Sequence, residues 1–217
     1  MKRAQINSLQ TRSKTILGTA LFASVWIGAL SFGLRTLANY ESAPGRVGSV
    51  PSNWPHDSKI ERARAGETLV MLAHPHCPCT RASVGELAQI MARLQGKVRA
   101  YVLFLKPKNS DANWDDTDLR RSAAKIPGVS VVTDFDGAEA QRFGAETSGH
   151  TLLFDADGRL LFSGGITESR GHAGGNAGES AIVSLVNTHE SDRATTFVFG
   201  CSLIERKSKE GKFQCLR

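Results

Sequence analysis

The stretch "TLVMLAHPHCPCTRASVGELAQIMARL", residues 68–94, changes character twice. Residues 68–73 form a continuous apolar run behind Gly66, the length and composition of a buried strand. Residues 80–95 place Val84, Leu87, Ile90, Met91 and Leu94 three or four apart, which predicts an amphipathic helix stopped by Gly96. Ser83 and Glu86 stand in capping-box spacing, and Thr80 serves equally well as the start. Between strand and helix lies "HPHCPCT", residues 74–80, with two histidines, two prolines and two cysteines.

Downstream the alternation continues. "VRAYVLFLK" (98–106) reads as a second buried strand, and "DDTDLRRSAAKI" as a helix with acids leading and bases trailing. "VSVVTD" (129–134) is a strand and "GAEAQRFG" (137–144) a short helix. "HTLLFDADGRLLFSGG" (150–165) is two apolar strands joined by Asp-Ala-Asp-Gly, a β-hairpin by its turn chemistry. A glycine-rich loop then leads to "ESAIVSLVNTH", with helical spacing at Ile182, Leu185 and Val186. This order predicts an α/β domain with a mixed central sheet flanked by helices, over residues 67–190.

Upstream, "TILGTALFASVWIGALSFGL" (15–34) carries no charge and spans roughly 30 Å as a helix, the thickness of a hydrocarbon core. Lys2, Arg3, Arg12 and Lys14 precede it without an acid among them. That asymmetry predicts a cytoplasmic N-terminus (1–14), a signal-anchor helix (15–34) and an extracytoplasmic remainder, periplasmic in a bacterium. The run is longer than the apolar part of a cleavable signal; the alternative cleavage point is "TLA", residues 36–38. Residues 35–66, with Pro44, Gly45, Gly48, Pro51 and Pro55, read as a spacer. Trp54 either docks that spacer onto the domain or sits at the membrane interface.

The chain has 217 residues, with 27 Lys+Arg against 21 Asp+Glu. Removing residues 1–34 leaves 23 against 21, so the domain lacks the basic face that phosphate-backbone binding requires. Nucleic acid is excluded as the expected partner. Export favours disulfides or handled thiols over inert reduced cysteines. Four cysteines allow three pairings, and Cys77–Cys79 with Cys201–Cys215 joins the pairs closest in sequence.

The strand running into a cysteine pair at a helix start, the βαβ unit, the hairpin and the closing helix together resemble the thioredoxin fold. "HPHCPCTRASVGELAQIMA" with "TSGHTLLFDADGRLLFSGGITESRGHAGGNAG" is similar to membrane-tethered extracytoplasmic thioredoxin-like proteins of the cytochrome-maturation and peroxiredoxin-related type, most of all their RedB-type branch. The resemblance covers about residues 60–188 and implies a redox dithiol acting on protein disulfides. Two departures stand out. The family's Cys-x-x-Cys becomes Cys77-Pro78-Cys79, with His76 at the position of the first cysteine. The family's cis-proline before the hairpin strand is replaced by His150, where a cis bond would cost roughly 3 kcal/mol and a trans bond is expected.

Three readings of the cluster follow. In the first, Cys77 is an attacking thiolate stabilised by the helix dipole, with His74 and His76 as further stabilisers, and Cys79 resolves the mixed disulfide. In the second, His74, His76, Cys77, Cys79 and His150 bind copper or zinc, as in copper-delivery proteins of the Sco type, whose cysteines are more widely spaced. In the third, the cysteines are structural and the domain is a redox-inert interaction module. Cys201 and Cys215 read as a structural disulfide tying down the basic extension 191–217, with an electron relay to Cys77–Cys79 as the alternative. The glycine-rich "GGITESRGHAGGNAGES" (164–180) lacks the Gly-Lys-Ser/Thr ending of a phosphate loop. Its Glu168 and Arg170, like Glu146, are placed to line an opening, with an ordinary solvated charge as the favoured reading.

Overall fold

The computed structural model describes residues 2–203, which form two units separated between Glu41 and Ser42. The first is a single helix, α1 (Lys2–Glu41). Its portion Thr15–Glu41 is apolar and long enough to cross a membrane. Arg35 does not end it, as the spacer boundary had implied; nothing between Arg35 and Glu41 breaks a helix, and Pro44 and Gly45 follow immediately.

The second unit is built on five strands in the order β3-β2-β1-β4-β5. β1 (Glu67–Ala73), β2 (Val98–Lys106) and β3 (Val129–Phe135) are parallel. β4 (His150–Phe154) and β5 (Leu160–Gly164) make the antiparallel hairpin, and β4 pairs with β1 through Leu72↔His150. The central strands are buried on both faces, which is why β1 reads as an unbroken apolar run. α2 (Thr80–Leu94), α3 (Asp118–Ala124) and α5 (Ala177–Thr188) cover one face around Leu69, Met71, Phe104 and Phe162. α4 (Ala138–Arg142) lies on the other face, over Val70, Leu72, Leu152 and Phe154. This is the thioredoxin-like arrangement expected, a mixed sheet with helices on both faces.

Two segments expected outside the domain pack onto it. Residues 42–66 are no free tether. Trp54 donates its backbone N–H to Gly158 O at 2.7 Å and lies edge-on to Phe143 and Phe154, while Ile60 is buried on the α4 face. Residues 194–203 run along β5 and cross to the loop before β4. Ser163 N–H donates to Ala194 O, Gly45 N–H to Val198 O, and Leu203 is buried beside Phe143.

α2 begins at Thr80, not at Ser83. Cys79 takes the cap position without a capping side chain, and Arg81 and Ala82 donate their N–H groups to Pro78 O and Cys79 O. Glu86, freed from a capping box, instead accepts from Gly174 N at 2.7 Å and so pins the glycine-rich loop.

Candidate functional site

The end of β1 and the start of α2 are joined by six residues, His74 to Cys79. Leaving a buried strand and entering a helix within that length requires a tight turn, and Cys77 N–H donates to His74 O to close it. Pro78 supplies a helix-compatible φ at a position where no intrahelical N–H is needed. Ser148, in the loop before β4, holds the turn from across the sheet. Its Oγ accepts from His74 N–H at 2.7 Å and lies 2.6 Å from Thr80 Oγ1.

Cys77 and Cys79 are free thiols, both buried. The neighbouring Cys79 thiol is the main reason the Cys77 thiol sits well below its ordinary value. Burial opposes the effect; the Thr80 hydroxyl and the backbone groups of Thr80 and Cys201 reinforce it. Cys79 moves the opposite way, because it donates to Cys77 and is itself desolvated. The pair is therefore asymmetric: Cys77 is the more acidic thiol and Cys79 the less acidic one.

His74 does not supply the stabilising charge assigned to it. His74 is driven down to about 4 by burial and by the neighbouring His76, so it is neutral at neutral pH. His76 is exposed and its Nε2 lies 2.9 Å from Trp114 O. The rings of His74, His76 and Trp114 form an aromatic cluster, with centroids 4.7 Å apart for His76 and Trp114.

His150 is fully buried, and its backbone carries no cis bond, as expected for a non-proline residue. Strand alternation puts it on the Leu152 face, away from α2. There its Nε2 meets Ser163 Oγ at 2.9 Å, while Nδ1 has no hydrogen-bond partner. Burial holds its pKa near 4. The five side chains of the metal reading do not converge. Among the described residues, no group of three or more His, Cys, Asp or Glu is placed to hold a metal ion.

What does converge on the dithiol is Cys201. Its sulfur lies 3.0 Å from Cys77 Sγ, across 124 residues of chain, and the two pack with Cys79 as a buried cluster. Backbone pairing places it there: Ser148 N–H donates to Cys201 O, Thr147 bridges Ser202 antiparallel, and Leu203 N–H donates to Glu146 O. Gly200 permits the close approach, since a Cβ there would collide with the Ser148 carbonyl oxygen. Arg170 fastens the same point. Its Nη1 donates to Gly200 O at 2.6 Å, its Nε to Ala43 O at 3.2 Å, and its charge acts on Cys79. Trp114 carries no mark in the sequence spacing, because it reaches the site from a distant loop, whereas Arg170 stands among the charges expected to line an opening. Cys215 lies outside the described residues, so the Cys201–Cys215 pairing remains an expectation.

No family model matches this chain, and no curated protein does. Solved structures do. An uncharacterized conserved protein from Geobacillus kaustophilus aligns with TM-score 0.55 at 15% identity, over 77% of this chain and 94% of its own. A hypothetical protein from Sinorhizobium meliloti aligns with TM-score 0.50 at 15% identity, over 77% and 99%. A putative thiol:disulfide interchange protein from Chlorobium tepidum aligns with TM-score 0.43 at 16% identity, over 67% and 99%. At these identities the likeness is one of fold. The chain carries a thioredoxin-like domain behind an N-terminal apolar helix.

Proposed function

We propose that the domain is a thiol–disulfide oxidoreductase acting on protein disulfides, with Cys77 as the attacking thiolate and Cys79 as the resolving thiol. The observation that carries this reading is a pair of free thiols, Cys77 and Cys79, set at the junction of β1 and α2 with Thr80 beside them. Thiol–disulfide exchange needs one sulfur held as thiolate and a neighbour able to release the mixed disulfide, and the pair divides those roles. The helix terminus adds its positive end to the same sulfur. Pro78 is exposed, so the turn itself stands at the surface.

The domain acts on the extracytoplasmic side, anchored by α1. The reading rests on the four basic residues that precede the apolar segment and on a domain nearly balanced in charge. An exported dithiol meets substrates that carry disulfides.

Redox titration in glutathione buffers tests the chemistry. With Cys201 and Cys215 both changed to Ser, the chain should exchange two electrons reversibly, and Cys77→Ser in that background should abolish the exchange. A variant that forms only a glutathione adduct, with no Cys77–Cys79 disulfide at any ratio, would overturn the reading.

A further inference from the structure

Residues 200–203 read Gly-Cys-Ser-Leu, and they lie against the site as an added strand would. Ser148 N–H donates to Cys201 O at 2.8 Å, Leu203 N–H donates to Glu146 O at 2.9 Å, and Thr147 bridges Ser202 antiparallel. That register sets the Cys201 sulfur 3.0 Å from Cys77 Sγ. Cys77 is left 1% exposed, so the sulfur that must meet a substrate is covered by the chain's own tail.

The backbone bonds would hold any extended polypeptide; two side-chain positions are selective. At Gly200 a Cβ would stand 2.0 Å from the Ser148 carbonyl oxygen, a backbone atom, so only glycine fits just before the cysteine. Leu203 is 4% exposed, in the apolar cluster that holds Phe143 and Leu152. Ser202 between them is exposed, and Arg170 Nη1 reads only the Gly200 carbonyl, at 2.6 Å.

We propose that Gly200–Leu203 is a built-in mimic of the substrate. The edge 146–148 receives an extended segment of a partner protein in which glycine immediately precedes the reactive cysteine and an apolar residue stands two places after it. The tail must leave that edge before the partner enters. This rests on the oxidoreductase reading given above. Cys201 marks the place of the attacked sulfur, and no reaction at Cys201 is involved. In the exchange the Cys77 thiolate attacks the partner's sulfur. The Cys77–partner bond forms, the partner's own disulfide breaks, and its other sulfur leaves as a thiolate that takes a proton from water.

The test uses the full-length chain in detergent, reduced, with Cys79→Ser so that the mixed disulfide persists. Three peptides, Phe-Gly-Cys-Ser-Leu, Phe-Val-Cys-Ser-Leu and Phe-Gly-Cys-Ser-Asp, are each activated as a disulfide with thionitrobenzoate. Uptake by Cys77 is read as the mass of tryptic peptide 65–81, and each rate is divided by the same peptide's rate with glutathione in solution. Leu203→Asp and Gly200→Val release the tail through different contacts, so a folding defect in one leaves the other to decide. In a released chain the first peptide should react at least about tenfold faster than the other two. It should also react at least about tenfold faster there than in the chain with its tail in place. Equal rates for the three peptides, or rates that neither release variant changes, would overturn the mimic and leave the oxidoreductase reading standing. If Cys77 takes up no peptide in any chain, both have failed.

Discussion

The Cys77–Cys79 turn and the Cys201 segment deliver sulfur to the same point by different means. The turn is local: a buried strand, six linking residues and a helix start fix it, and the cysteines lie two apart. The tail is held by three backbone hydrogen bonds or bridges to the loop before β4, by one arginine and by one glycine. The first kind of site depends on the fold being made. The second depends on a docking event that single residues can undo, so the two should respond differently to substitution.

The largest effect is expected at Cys77. In the Cys201→Ser/Cys215→Ser background, Cys77→Ser should leave the domain folded and remove the exchange, because no other described free thiol is held below its ordinary value. Its check is the glutathione titration. Gly200→Val should spare the fold and the Cys77–Cys79 couple while loosening the tail, read as faster alkylation of Cys77. Equal alkylation rates in the two chains would mean that the tail does not control access.

Stability should fall with acid because two histidines, His150 and His74, are both held near 4 in the folded chain. His150 is held near 4 against an ordinary 6.5, so the unfolded chain takes up a proton first as pH falls. Stability is therefore full above about pH 6.5 and declines toward pH 4, by roughly 3 kcal/mol from His150 alone, with His74 adding to it. Thermal melts across that window should show the decline, and His150→Asn should flatten much of it. The smallest effect is at Ser148, whose hydroxyl ties the turn to the opposite loop. Ser148→Ala should cost about 1–3 kcal/mol in chemical denaturation, with the tail bridge through its backbone intact.

The same contrast explains what could be read in advance. β1, β2 and the hairpin follow from short apolar runs and turn residues, and their observed ranges differ from the expected ones by a residue or two. The position of the dithiol at the strand-to-helix junction is legible for the same reason. The partners of that dithiol are not. Glu86 looked like a capping acid until the glycine-rich loop claimed it. Arg170 looked like a solvated charge, yet it holds Gly200 and Ala43 together. His150 looked like a ligand opposite the cysteines, but the pleat turns it toward Ser163. Trp54, whose place was open, is fixed by Phe143 and Phe154. In each case the deciding neighbour is far along the chain, and spacing carries no record of it.

The central claim is the division of labour between two thiols one residue apart, and the pH dependence of alkylation addresses it most directly. In the fully reduced chain, iodoacetamide labelling of peptide 65–81 can be assigned to Cys77 or Cys79 by fragmentation. The account predicts that Cys77 is labelled first, with a rate half-maximal below pH 7, and that Cys79 stays unlabelled at least to pH 9. Labelling that rises only above pH 8, or that begins at Cys79, would contradict it.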